Sequence, residues 1–256
     1  MTTFVSTQTV SPTIETEDQH SIGKSLALHL LPGVFILSLF MASVPFVMRA
    51  GFPSLFAMIT IGVTFGLGFQ LWHLYYKGKK RNGKWSLEGI VEYRQPMPIW
   101  QYFVLVPLFV IVAFVIDGAT SPLEVSFLNT LSWLPDWFEM RDISMLAAYP
   151  KSILITTFSL YMLLNGIAAP IIEELYFRGY LMPRLSHFGR WTPVVETVLF
   201  TLYHFWQPYY WISQFFFFLP ITVAVYWKRN FKLGLVVHML LNTLGGLLTL
   251  AMVLGQ

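Results

Sequence analysis

The sequence predicts an all-α fold, a polytopic transmembrane helical bundle of about seven helices, and three observations predict it. Of 256 residues, 55% are hydrophobic and only 11% are charged, where a soluble domain carries about 25% charged residues. Phe, Trp and Tyr make up 17% of the chain. Apolar stretches fit to cross about 30 Å of hydrocarbon recur near 26–48, 53–76, 99–116, 152–176, 193–206, 209–227 and 233–254. The composition excludes a disordered chain and a nucleic-acid reader, so the expected partner is a lipid bilayer and not a nucleic acid. With no cysteine in the chain, disulfides, zinc-thiolate sites and Cys nucleophiles are excluded.

Residues 1–25 are polar and set Glu15, Glu17 and Asp18 against Lys24 alone. They lack the basic start and short apolar core of a signal peptide, and are expected to form a disordered tail. One transmembrane domain is expected over 26–256. The chain ends Val-Leu-Gly-Gln, without a lipidation box. In the second span, Gly62 and Gly66 lie four residues apart and offer a helix-packing surface. The fifth span, at 14 residues, is short of the usual length of about 20, so it must tilt, extend or be surrounded by other helices. The 117–151 loop holds Pro122, Trp133, Pro135, Trp137 and Phe138 and suits a short interfacial helix with its rings at the headgroups. No internal repeat is found.

The cations set the expected orientation. Lys77, Lys79, Lys80, Arg81, Lys84 and Arg94 lie in the loop after span two, Arg178, Arg184 and Arg190 after span four, and Lys228, Arg229 and Lys232 after span six. The other side has Arg49, Arg141 and Lys151, with Asp117, Glu124, Asp136, Glu139 and Asp142. The positive-inside rule places the first group in the cytoplasm, with the N-terminus inside and the C-terminus outside.

An ionisable group at the bilayer centre costs roughly 2.5–3.5 kcal/mol or more, so those left in the spans are functional candidates. They are Glu173, Glu174 and Arg178 on span four, Glu196 and His204 on span five, and His238 with Asn242 on span seven; His29 and His73 lie near span ends. Glu174 and Arg178 are spaced i, i+4 and can pair on one helix face. Glu173 points about 100° away, which leaves one carboxylate anchored and the other available as a base. A packing network at a helix end is the competing explanation. His238 and Asn242 share a face and can donate in one direction, or can each bridge to a neighbouring helix. A lone histidine on an aromatic helix, as His204 is, is commonly a satisfied core residue. Glu196 follows Thr192 and Pro193 by one turn, so the positive helix N-terminus accounts for it. At 1.5 Å per residue, Glu173 and Glu174 lie roughly 6–8 Å from the cytoplasmic end, His238 about 8 Å, Asn242 about 14 Å and His204 about 17 Å. If the three helices pack together, these groups surround one polar cavity that must hold water or a metal.

Glu-Glu-x-x-x-Arg at 173–178, Phe-x-x-x-His at 200–204 and His-x-x-x-Asn at 238–242, in this order on successive helices, resemble the CPBP family of intramembrane proteases. That group includes the Ras-converting CAAX protease, bacteriocin-processing and immunity-associated proteins and lysostaphin-resistance type proteins. The resemblance covers about 150–250, the expected catalytic core, and carries over Glu173, Glu174, Arg178, Phe200, His204, His238 and Asn242. It implies peptide-bond hydrolysis within the membrane, acting on hydrophobic or membrane-anchored peptides or proteins. In the glutamate-dependent form Glu173 and His204 deprotonate a water, His238 and Asn242 donate to the oxyanion, and Glu174 and Arg178 hold the helix end and orient Glu173. The family is often labelled metalloprotease, and Glu173, His204 and His238 form a set that zinc accepts. The metal-free form, needing no cofactor, is preferred because no His-Glu-x-x-His segment occurs.

Serine, aspartyl and cysteine routes lack their groups: there is no Gly-x-Ser-x-Gly, no Asp within the assigned spans and no cysteine. A non-catalytic scaffold or bacteriocin-immunity-type protein is the alternative outside enzymes. A proton-coupled transporter would show repeated or broken helices. The compact hydrophobic chain favours a bacterial cytoplasmic membrane.

Overall fold

A computed structural model describes residues 19–256; of the disordered tail expected over 1–25, residues 1–18 lie outside the described residues, and its last part is ordered instead, with the His20 N–H bonded to the Arg184 carbonyl and Ile22–Ser25 already helical. Ser21 starts helix α1 (Ile22–Arg49) by accepting a hydrogen bond from the Lys24 N–H. Helix α2 (Ser54–Asn82) ends at Gly83 in the left-handed conformation. Helix α3 (Ile99–Thr130) follows, and then the short α4 (Ile143–Ala147), capped by Asp142. The Ser144 hydroxyl and the Met145 N–H bond that cap and hold its carboxyl below the usual carboxylate range. A continuous helical run, α5 (151–181), leads through tight turns to α6 (Thr192–Tyr203). Helices α7 (Trp211–Lys228) and α8 (Phe231–Leu254) complete the bundle, and among the described residues there is no strand beyond an isolated bridge, Arg94 with Asn230.

Six helical stretches are long and apolar enough to cross a membrane. The expected spans four and five form one of them, Lys151–Tyr203, which reverses at Gly189 (φ 55°, ψ −128°). The chain is an integral, multi-pass membrane protein. The lipid-facing character is plainest in α3, where only Val106 and Ala113 are buried and Phe103 is 76% exposed.

Several boundaries differ from the sequence expectation. Helix α3 runs to Thr130, so Asp117 and Glu124 lie on a helix and not in a loop. Both carboxylates are satisfied across the bundle: Tyr210 donates to Asp117 and Ser213 to Glu124, both from the α7 side. The expected absence of Asp from the spans therefore fails. The loop rings do not all rest at headgroups, because Trp137 and Phe138 pack on Phe40 of α1 while Trp133 stays exposed. Of the cations used for orientation, Arg178 and Arg184 are buried. Arg184 donates to the Tyr180 carbonyl and pairs with Glu92, so only the remaining cations bear on topology. Gly66 does meet another helix: a Cβ there would collide with Ile36 of α1.

Candidate active site

Span four departs from a regular α-helix where it carries the acids. Pro170 has no N–H to give, and the turns before and after it, Met162–Ala168 and Glu174–Leu181, widen into π-helix. Glu173 and Glu174 sit at the junction, and both are buried. The i, i+4 pair forms as expected, with Arg178 Nη1 3.3 Å from Glu174 Oε1.

Glu174 also accepts a hydrogen bond from His238 Nδ1 at 3.1 Å. That bond fixes the imidazole so that Nε2 points to Glu173 Oε2, 3.8 Å away. Helix α8 can approach this closely because residue 234 is glycine; a Cβ there would lie 2.5 Å from Glu174 Oε2. On its other side Glu173 accepts a bond from Tyr203 at 3.1 Å, and Tyr203 accepts one from Gln70 Nε2 at 3.0 Å.

Arg178 is shared. Its Nε is 3.5 Å from Glu196 Oε1, it donates to Thr222, and its guanidinium stacks 3.7 Å from the centre of the Phe200 ring. Glu196, expected to be accounted for by the helix N-terminus, is instead fully buried against this cation. Phe200 gains a role too: besides covering Arg178 it meets the rings of His204 and His238 edge-on.

Helix α6 stops at Tyr203, so His204 lies just beyond its end and not within it. The helix spans only about 18 Å and carries His204 inside the bundle, where the Trp211 indole donates to its carbonyl. His204 Nδ1 donates to the Phe200 carbonyl at 2.8 Å, which leaves Nε2 of the neutral ring as an acceptor. Asn242 gives one amide hydrogen to the Asn165 carbonyl at 2.8 Å and keeps the other.

Glu173, His204, His238 and Asn242 all line one cavity of about 330 Å³, together with Tyr203 and Asn165. Glu174 and Arg178 stand behind it. A carboxylate, an imidazole acceptor and an amide donor at one cavity are able to hold and polarise a water. For zinc the donor chemistry is suitable, but among the described residues no three His, Asp or Glu side chains come together as a ligand set. A count of charges passes over Tyr203, Gln70 and Asn165, because none carries one; only their polarity within apolar helices marks them. His29 lies elsewhere, bonded to the Ser25 carbonyl, and His73 packs edge-on against Tyr176 and Tyr180.

A family model described as Type II CAAX prenyl endopeptidase Rce1-like matches residues 155–244, a stretch that contains every motif residue above. No curated protein and no solved structure matches the chain. Residues 155–244 are thus similar to the Rce1-like type II CAAX prenyl endopeptidase domain, in agreement with the family that the three motifs resemble.

Proposed function

We propose that the protein is an intramembrane endopeptidase that hydrolyses peptide bonds of hydrophobic or membrane-anchored substrates with a water activated by Glu173. The observation that carries this reading is the convergence of Glu173, His204, His238 and Asn242, from three separate segments, on a single cavity. Water sits between Glu173 and the free Nε2 of His204. Glu173 takes its proton as the oxygen attacks the scissile carbonyl carbon. The second amide hydrogen of Asn242 donates to the resulting oxyanion. His238 adds a second donor from Nε2 when the ring is protonated from the solvent, its Nδ1 being given to Glu174. Collapse of the intermediate breaks the C–N bond, and the proton held by Glu173 passes to the leaving amine. One water is consumed, and an acid and an amine are formed.

The assignment of Glu174 shifts in one respect. Its carboxylate holds His238 by a direct hydrogen bond, and Arg178 anchors Glu174 in turn, so the pair positions the imidazole more directly than it positions Glu173. No step is routed through a metal. The cation distribution favours an N-terminus in the cytoplasm and a C-terminus outside, and the compact hydrophobic chain favours a bacterial cytoplasmic membrane.

The test is purified protein with a quenched hydrophobic peptide, comparing wild type with Glu173→Gln and Glu174→Gln, each with and without a chelator. Glu173→Gln is expected to remove turnover, while Glu174→Gln retains a reduced rate. If the Glu173 variant cleaves as fast as wild type, the proposed base is wrong. Loss of activity on chelation, together with stoichiometric bound metal, would replace the metal-free mechanism. A folded wild type that cleaves none of the peptides would favour the scaffold alternative.

A further inference from the structure

The cavity extends well beyond the groups that would perform hydrolysis. Along α8 its lining runs from His238 to Met252, and along α5 from Glu173 back to Tyr161, about 21 Å and 18 Å at 1.5 Å per residue. Its far end is built differently from its apolar middle. Met140 and Arg141, from the loop after α3, line the cavity with Asp117, Tyr210 and Gln214, and Arg141 interacts with Tyr161, at the α5 end away from Glu173.

Arg141 lies with its guanidinium 5.1 Å from the centre of the Tyr210 ring, and it makes neither a hydrogen bond nor an ion pair among the described residues. The surrounding acids are mostly committed elsewhere. Asp117 accepts from Tyr210, Glu124 accepts from Ser213, and Asp142 caps α4; Glu139 is half-buried beside the same loop. A guanidinium presents five N–H donors in a planar fork that matches a carboxylate. Asp117, Glu124 and Glu139 lie near enough to act on the Arg141 charge through space but form no hydrogen bond or ion pair with it, so its donors stay open to a carboxylate on the wall of a substrate-sized cavity.

We propose that Arg141 is a specificity-determining anchor that binds a carboxylate of the peptide whose scissile bond lies at Glu173. The proposal rests on the protease reading above. An extended peptide advances about 3.3 Å per residue. Allowing for the reach of both side chains, the carboxylate falls about three to five residues from the scissile bond. Either a free C-terminus or an acidic side chain supplies that chemistry.

A quenched hydrophobic peptide is prepared in three forms: ending in a free acid, ending in an amide, and ending in an amide with one internal Glu four residues from the cleavage point. Peptide binding by fluorescence polarisation, with wild type and Glu173→Gln in detergent, and kcat/KM for wild type are both measured. A charge-assisted hydrogen bond is worth roughly tenfold in affinity or more, so one anionic form is expected to bind about tenfold tighter than the neutral amide. The better of the two names the source of the carboxylate. Arg141→Gln is expected to reduce that ratio to about one, Arg141→Lys to an intermediate value, and the change to appear in KM more than in kcat. Equal binding of all three forms by wild type overturns the anchor, as does an Arg141→Gln protein that keeps the full ratio. The binding arm does not depend on turnover, so a wild type that prefers the anionic peptide yet cleaves none of them sinks the protease reading and leaves the anchor standing.

Discussion

The Tyr203 hydroxyl donates to Glu173 Oε1 at 3.1 Å while accepting from Gln70 Nε2 at 3.0 Å. This relay joins α2, α6 and α5, and it holds the proposed base by its Oε1 so that Oε2 is left toward His238. Tyr203→Phe removes the bond without removing the ring. A hydrogen bond to a charged group is worth about 1.5–3 kcal/mol, so kcat is expected to fall at least about tenfold. The orphaned Gln70 amide should also lower the unfolding temperature, and adding Gln70→Leu should restore it without restoring kcat. A Tyr203→Phe protein with wild-type kcat would show that Glu173 is not positioned this way.

Arg178 is the hub behind the site, with Glu174 at 3.3 Å and Glu196 at 3.5 Å. Removing one partner of a buried ion pair leaves uncompensated charge and costs about 3–5 kcal/mol. Arg178→Ala is therefore expected to lose folded protein, and Glu196→Gln to cost less because Glu174 still balances the cation. Thermal unfolding in detergent measures both. An Arg178→Ala protein that melts with wild type would remove the hub from the stability account.

Gly234 sets the approach of α8 to Glu174. Alanine there puts its Cβ 2.5 Å from Glu174 Oε2 and 3.1 Å from Val225, so the carboxylate must move and His238 loses its fixed partner. Gly234→Ala is expected to lower kcat at least about tenfold, the scale of one lost charge-assisted hydrogen bond. Gly68→Ala, where nothing lies within 4 Å, serves as the comparison and should stay near wild type. Equal activity of the two variants would mean that α8 has room the structure does not show.

The chain has no cysteine, so single-cysteine variants report topology directly. Asn82→Cys, at the end of α2, is expected to resist a membrane-impermeant maleimide in intact cells, and Trp133→Cys, 76% exposed after α3, to react. The reverse pattern would invert the orientation drawn from the cations.

Much of this protein is determined by composition and local spacing alone. Low charge and recurring apolar runs specify a bilayer-spanning helical chain, because unsatisfied backbone groups cannot be left in hydrocarbon. The i, i+4 interval brings Glu174 to Arg178, and the order of three motifs names Glu173, His204, His238 and Asn242. Packing decided the rest. Helical periodicity sets which residues share a face, but not which face a distant helix presents to it. So the partnership of Glu174 with His238, 64 positions away, and of Arg178 with Glu196 arose only when α5, α6 and α8 were docked. Likewise Asp117, inside a helix that runs on to Thr130, finds its partner Tyr210 only across the bundle on the α7 side. Arg141, which in sequence looked like one loop cation among several, lines the cavity because the loop folds back over it. Sequence determined which side chains are too costly to bury without a reason, and tertiary contacts determined what satisfies each of them.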